Sequence, residues 1–301
     1  MTLPLTHRES VPESPNRLGL DGIEFIEYAT SRPQALGQVL ENMGFRPVAR
    51  HRSREVTLYR QGGMNLVVNA SPDDARVSAT TDGQPVISAV AFRVRDALQA
   101  HTRCMELGAW NVTSQAQAME LHIPAIHGPG GSRFYFVDRW QEFSIYDIDF
   151  KPIPTVDQHP EATAGMSYFG VVQYIGAGRS ADWLAYFEHM FDFSFVPDDQ
   201  RFGILPKGKL MKSPCGNFLW QLIEPDPWMD TDESPECLQR IGLGAKDVGA
   251  AVTALKARGV EFVESTQLHP EDRGALTRSA LGAVSFELVH QDNAKARRSK
   301  P

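Results

Sequence analysis

One short pattern occurs four times along this chain, and it constrains the fold more than any other feature. Each copy begins with a β-rich run, followed by a polar linker and an amphipathic helix. A glycine or an aspartate then ends the helix, and another strand follows. The copies open at residues 23–28, 87–92, 168–172 and 238–243. Repetition of one supersecondary unit indicates a fold assembled from similar modules. The intervals are too irregular for a solenoid, so we interpret the copies as paired modules.

Further strand-forming segments close each copy of the pattern. These segments are rich in β-branched and aromatic residues and lie at residues 64–68, 133–137, 218–222 and 284–289. Each copy thus consists of a strand, a helix and three further strands. Four such copies predict an α+β fold of four βαβββ modules. We expect the modules to pair into two open β-barrel domains.

The ends of the repeats divide the chain into domains. Residues 18–150 contain the first two modules, and residues 166–290 contain the third and fourth. Between them, residues 151–165 are rich in proline, which is typical of a linker. Residues 1–17 are polar and interrupted by proline, and we expect a disordered arm there. Residues 291–301 form a polar tail.

Composition excludes several classes of protein. A chain of 301 residues with 42% hydrophobic side chains suits about two domains with cores of their own. Its formal net charge of −7 argues against a nucleic-acid partner, and no apolar stretch approaches the roughly 20 residues that cross a bilayer. The three cysteines are scattered, which excludes a disulfide framework and a zinc ribbon. Because the N-terminus also lacks the apolar core of a signal peptide, we expect a cytoplasmic protein.

Several segments carry a resemblance to a known family. They lie mainly in the first half, at residues 22–29, 51–53, 58–62, 91–94, 123–126 and 145–150, and continue more weakly at 183–193. With these segments the chain resembles 4-hydroxyphenylpyruvate dioxygenase, a member of the vicinal-oxygen-chelate superfamily that includes glyoxalase and bleomycin resistance proteins. The resemblance covers nearly the whole chain. It implies the fold predicted above and a role in aromatic-compound catabolism.

The resemblance also implies a metal site. In that family, two histidines and a glutamate in the C-terminal barrel hold a non-haem Fe(II), and the open positions accept a 2-oxo acid and dioxygen. At the two histidine positions this chain has Val171 and Arg240, and only Glu287 is kept. Valine has no lone pair, and a guanidinium is permanently charged. We therefore expect no cofactor, with Glu287 as a remnant ligand, and Fe(II) only if the family chemistry survives.

The replaced ligands suggest two interpretations of the old iron site. Arg240 and Glu287 occupy former ligand positions of one ion, so we expect their side chains to converge. They would either form a buried ion pair that closes the site, or leave Arg240 to anchor an acid through its planar guanidinium. Strand alternation places Gln173 and Gln221 on the inward side. There they would bind a ligand or join a hydrogen-bond network.

Two classes of function remain open. One is a binding or regulatory protein that holds a small aromatic or 2-oxo acid without the iron chemistry. The other is a divergent dioxygenase-family enzyme with altered metal ligands, or with metal-free acid/base chemistry at Glu287 and Arg240. A weaker candidate metal site is the group of His122, His127 and Glu120 in a loop rich in proline and glycine. A homo-oligomer also remains open.

Overall fold

The structure is a computed structural model that describes most of the chain. The described residues are 15–78, 80, 83–113, 120–141, 143–197, 208–225, 236–264 and 274–291. Most of the predicted arm (1–14) and of the polar tail (292–301) therefore lies outside them. No helix in the described part is long and apolar enough to span a membrane.

Strands and short helices alternate through the first half of the chain. In order, they are β1 (Gly22–Ala29), α1 (Pro33–Asn42), β2 (Arg46–His51), β3 (Val56–Gln61), β4 (Met64–Asn69), α2 (Ala75–Ser78), β5 (Val86–Arg93), α3 (Ala97–Glu106), β6 (Ala125–His127), β7 (Arg133–Val137), α4 (Ile145–Asp149) and β8 (Phe150–Pro152). Helix α3 begins where the side chain of Asp96 accepts a hydrogen bond from the backbone N–H of Gln99, at 2.8 Å. Such an N-cap satisfies a donor that the first helical turn leaves without a partner.

The second half repeats this alternation. Its elements are a 3₁₀ turn (Thr163–Gly165), β9 (Ser167–Tyr174), α5 (Ser180–Phe191), β10 (Ser194–Val196), β11 (Lys209–Lys212), β12 (Leu219–Ile223), β13 (Cys237–Ala245), α6 (Val248–Lys256), β14 (Ala275–Leu276) and β15 (Phe286–His290). Helix α5 ends at Asp192, which adopts a left-handed conformation with φ of 58°. Its carboxylate accepts the backbone N–H of Arg17 at 2.8 Å, so the start of the described chain is tied to the second half.

The pairing of the strands follows the same rule in all four stretches. The first strand lies parallel to the last one, in the pairs β1–β4, β5–β7, β9–β12 and β13–β15. Antiparallel pairs β1–β5 and β9–β13 join the stretches two by two. Leu238 of β13 pairs with Ile87 of β5, which connects both halves in one mixed sheet. A mixed sheet with few helices in the described part is an α+β fold, as predicted.

The largest hydrophobic cluster lies between this sheet and the helices and runs through both halves. Phe92 of β5 contacts Phe191 of α5, with ring centroids 5.6 Å apart. Phe187 of the same helix lies 4.9 Å from the indole of Trp220 on β12. Burial of large aromatic side chains at such contacts dominates the energetics of a core. A second, smaller cluster, which includes Phe25, Val67 and Tyr146, lies on the opposite face of the first-half sheet.

The predicted linker lies against the first half. Gln158 donates from Nε2 to the carbonyl oxygen of Val48 at 3.1 Å. The backbone N–H of Gly62 donates to the carbonyl oxygen of Pro160 at 2.7 Å. These bonds hold residues 151–165 along strands β2 and β3. Whether a domain boundary falls here stays a prediction.

Candidate functional site in the second half

Three of the predicted site residues lie on one face of the second-half sheet. Gln221 of β12 pairs with Val172 of β9, which in turn pairs with Arg240 of β13. Paired positions on neighbouring strands share a face, and so do residues two apart on one strand. The next row on this face consists of Leu219, Gly170, Gly242 and Glu287. Arg240, Gln221 and Glu287 therefore lie on one face, as the sequence predicted.

Val171 does not share that face. It pairs with Trp220 and Ile241, and its side chain, 1% exposed, belongs to the main hydrophobic core. Residues 169–172 of β9 all line the small cavity beside Glu287. Among them, the Phe169 side chain packs with Leu210 of β11 and Leu219 of β12 on that face. The register of β9 against β13 shifts beside Phe169. The placement of Val171 at the metal position is therefore wrong.

Gln173 also lies on the core face. It is fully buried, and its Oε1 accepts a hydrogen bond from the indole N–H of Trp220 at 2.8 Å. Its neighbour across β12 is Leu222, another core residue. The prediction that Gln173 faces the ligand is wrong. It counted the strand alternation from Val171, and Val171 itself lies on the core face. The amide satisfies a buried indole instead.

Arg240 is buried, yet part of its guanidinium has no hydrogen-bond partner. The residue is 5% exposed, and its Cζ lies 5.8 Å from the ring centroid of Tyr174. Neither Nε nor Nη2 makes a hydrogen bond with the described residues. These two nitrogens form one edge of the guanidinium, and such an edge binds a carboxylate through two parallel N–H···O bonds. A buried cation with two unused donors strongly favours an anionic acceptor.

Arg240 and Glu287 do not form the predicted ion pair. Both are 5% exposed, but no ion pair between described residues joins them. The residue opposite Glu287 is Gly242, and Arg240 lies two residues further along β13, or about 7 Å. A register shift beside Gln239 displaces Arg240 again. The prediction that an Arg240–Glu287 ion pair closes the site is therefore wrong. The alternative, in which Arg240 anchors an acid, stays a prediction.

Comparisons with known proteins identify the family. The profile described as hydroxyphenylpyruvate dioxygenase, HPPD, N-terminal, matches residues 14–151. The 4-hydroxyphenylpyruvate dioxygenase of Pseudomonas aeruginosa is 32% identical over 275 residues, which cover 86% of this chain and 76% of that protein. This chain belongs to the 4-hydroxyphenylpyruvate dioxygenase family. The resemblance found in the sequence is thereby confirmed.

Two further comparisons add a second relative and a solved structure. The 4-hydroxyphenylpyruvate dioxygenase of Pseudomonas sp. is 41% identical over 179 residues. That match covers 59% of this chain and about half of the relative, 50%. A solved fusion protein, described as xylose isomerase-like TIM barrel/4-hydroxyphenylpyruvate dioxygenase, has a TM-score of 0.73 and 23% identity, covering 95% of this chain and 51% of its own. This likeness shows the fold alone.

The residues around Glu287 do not fit the iron of the dioxygenase family. Fe(II) in a facial triad needs two nitrogen ligands beside the carboxylate, whereas Arg240 cannot ligate and Phe169 has no donor atom. Within the described ranges, no group of three His, Cys, Asp or Glu side chains could hold a metal ion. The candidate loop site also fails, because Glu120 bonds to Ser53 Oγ at 2.6 Å and pairs with Arg54.

The cavity beside Glu287 is very small. Its volume is ≈ 20 Å³, and Phe169, Leu210 and Leu219 supply apolar walls. This is room for a single water molecule. An acid of the size of the family's substrates cannot lie there, and Gln221 lines this same small cavity together with Glu287.

Proposed function

We propose that this family member binds a small aromatic or 2-oxo acid at Arg240 and does not carry out the family's iron chemistry. One observation supports the proposal above all others. The buried guanidinium of Arg240 presents Nε and Nη2 as a two-donor edge that makes no hydrogen bond with any residue the structure describes. A bound carboxylate would satisfy both donors and neutralise the charge.

The surroundings of Arg240 suit an aromatic acid. Tyr174 is 37% exposed, and its ring lies against the guanidinium, which leaves an aromatic surface beside the anchor. Gln221 lies in the same row beyond Val172 and adds an amide to that face. The relatives are named for 4-hydroxyphenylpyruvate, an aromatic 2-oxo acid. An acid of this class combines the carboxylate and the ring that this row can accept.

We also propose the architecture that holds this site. The four stretches would be βαβββ modules, paired as two open half-barrels in residues 18–150 and 166–290 and joined by residues 151–165. The repeated parallel pairing of the first and last strands supports this proposal. A homo-oligomer remains a prediction.

Calorimetric titration with 4-hydroxyphenylpyruvate tests the binding proposal. We expect Arg240→Met to weaken binding at least tenfold, because a charged hydrogen-bonded anchor contributes about 1.5–3 kcal/mol. Arg240→Lys should restore only part of the affinity, since an ammonium lacks the planar fork. Arg258→Met, at an exposed position, is the matched control and should bind normally.

Metal analysis and oxygen uptake test the other half of the proposal. The purified protein, incubated with Fe(II) under anaerobic conditions, should retain no stoichiometric iron and consume no oxygen with 4-hydroxyphenylpyruvate. Stoichiometric iron together with oxygen uptake would show a divergent dioxygenase with altered ligands. Equal binding by the wild type and Arg240→Met would rule out the anchor.

A further inference from the structure

A second and larger cavity lies on the corresponding face of the first-half sheet. Its volume is ≈ 170 Å³. Phe25 and Tyr135 line it with ring centroids 5.9 Å apart, and Tyr146 and Phe150 form another aromatic contact at 5.7 Å. A cavity of about 150 Å³ admits benzene. This one therefore has room for a single six-membered ring with a small substituent.

A hydrogen-bonded charge cluster forms one wall of this cavity. Arg76 donates from Nη1 to Glu27 Oε1 at 2.8 Å and from Nη2 to Asp74 Oδ2 at 2.6 Å. Its Nε donates to Asp74 Oδ1 at 3.0 Å. Ser88 Oγ donates to Glu27 Oε1 at 2.8 Å, and Asn69 Nδ2 donates to Asp74 Oδ2 at 3.1 Å. Both carboxylates are thus satisfied by protein donors.

The remaining carboxylates of the wall are also satisfied. Glu120 pairs with Arg54, and Asp149 accepts the backbone N–H of Leu121 through both oxygens, at 3.3 and 3.2 Å. Burial lowers the pKa of His51, so its imidazole is neutral near pH 7 and adds no positive charge. The cavity thus offers no unmet carboxylate, among its described residues, to attract a cationic ligand.

Arg133 differs from the other arginines that line the cavity. It forms no ion pair with any described residue, and its hydrogen bond is a long one of 3.4 Å from Nη1 to the hydroxyl oxygen of Tyr135. Burial raises the pKa of Tyr135, so its hydroxyl stays protonated and is able to donate. One arginine and one hydroxyl therefore converge beside an aromatic wall, where an anion would find donors.

We propose that this first-half cavity is a second ligand site, specific for a single-ring organic acid such as a benzoate. The ring would lie against Phe25 and Tyr135, and the carboxylate would bind Arg133 and the Tyr135 hydroxyl. A neutral ring would gain the apolar contacts alone. The site shares no residue with the row around Arg240, so it does not depend on the function proposed there.

Titration of benzoate into the Arg240→Met variant tests this site in isolation. That background removes the other proposed anchor, so the failure of one proposal is separable from the failure of the other. We expect Arg240→Met to bind one equivalent of benzoate, and the further change Arg133→Met to weaken it at least tenfold. Benzyl alcohol, which has no charge, should bind more weakly and should be insensitive to Arg133→Met. In the Arg240→Met background, the affinity of Arg133→Lys for benzoate should lie between that of Arg133 and that of Arg133→Met.

A crystallographic measurement locates the ligand even if an Arg133 variant fails to fold. Wild-type crystals soaked with 4-bromobenzoate should show an anomalous bromine peak inside the cavity, with the carboxylate towards Arg133. The proposal is overturned if Arg240→Met binds no benzoate at millimolar concentration, if Arg133→Met binds as tightly as its background, or if the bromine lies only outside the cavity.

Discussion

The guanidinium of Arg240 lies over the ring of Tyr174, with 5.8 Å between Cζ and the ring centroid, at the paired strands β9 and β13. A cation–π contact of this kind contributes about 0.5–1 kcal/mol at exposed sites and about 2 or more when desolvated. It orients the side chain, but it gives no partner to the Nε and Nη2 hydrogens. Arg240 is thus held in place while no described residue occupies its carboxylate-binding edge, an arrangement that favours ligand binding over stability.

Replacement of Arg240 by methionine should stabilise the ligand-free protein. Two buried donors without acceptors cost about 1–3 kcal/mol in unfolding free energy, and methionine removes that cost while it fills much of the volume. After subtraction of the lost cation–π contact, we expect the free energy of unfolding to rise by about 1 kcal/mol. Urea denaturation of Arg240→Met measures this, with the exposed Arg258→Met as the control. A loss of more than about 1 kcal/mol would show that the guanidinium is satisfied in solution.

Gln173 should matter for stability and not for binding. Gln173→Leu removes the acceptor of the buried Trp220 indole N–H, which costs about 1–3 kcal/mol in unfolding free energy. It also removes the Gln173 Nε2 donor, which has no hydrogen-bond partner among the described residues, so the net loss should be at the low end of that range. In Trp220→Phe that donor is absent, so Gln173→Leu should cost less in this background, and the double-mutant cycle should show coupling. The affinity for 4-hydroxyphenylpyruvate should stay within twofold in Gln173→Leu. A loss of affinity without a loss of stability would show that Gln173 contacts the ligand.

The sequence was sufficient to predict the α+β class and to place Arg240, Gln221 and Glu287 on one face. The face of these residues follows from strand alternation, although a register shift beside Gln239 changes how far Arg240 lies from Glu287. Val171 and Gln173 were misplaced because the extra residue in β9 beside Phe169 changes which side chain lies near Glu287. Alternation in one strand cannot reveal such a shift, because it depends on the pairing with another strand.

The charged wall of the first-half cavity had no signal in the sequence. Its members Glu27, Asp74, Arg76 and Arg133 come from β1, the α2 region and β7, and only the folded sheet brings them together. No motif or spacing connects them along the chain. Long-range contacts of this kind are a property of topology and register, which local patterns do not specify.

The Arg76–Asp74 contact should make stability depend on pH. Burial alone would raise the pKa of Asp74, but the hydrogen bonds and charge of Arg76 lower it to about 2, from an ordinary value of 3.8. Because the folded pKa is the lower one, the stabilisation is present above about pH 4 and is lost as the pH falls towards 2. One pKa unit corresponds to about 1.4 kcal/mol, and partial exposure reduces the effect to about 1–2 kcal/mol.

Urea unfolding of the wild type and Asp74→Asn at several pH values measures this contribution. The difference between the two proteins should be largest near pH 6 and should shrink between about pH 4 and pH 2. Asp182→Asn is the matched control, since that carboxylate is 70% exposed in its ion pair with Arg179 and should contribute little. A difference that does not change with pH would show that Asp74 is not ionised in the folded protein.

Restoration of the iron ligands tests the corrected geometry of the second half. Three ligands of one metal must converge on one face of the sheet, and Phe169, Arg240 and Glu287 share a face that Val171 does not. We therefore expect Phe169→His with Arg240→His to bind Fe(II) at up to one equivalent. Val171→His with Arg240→His should bind none, because its imidazole would enter the main core and destabilise the protein.

Elemental analysis after anaerobic incubation with Fe(II) and gel filtration provides the measurement. Glu287→Gln added to the Phe169→His and Arg240→His pair is the control, and it should release the metal because the carboxylate ligand is lost. Iron binding by the Val171 pair, with none by the Phe169 pair, would mean that the register of β9 in solution places Val171 on the face of Glu287. Iron in neither pair would mean that the strands around Gly170 and Gly242 do not bring the three side chains within the roughly 2 Å of one ion that ligation needs.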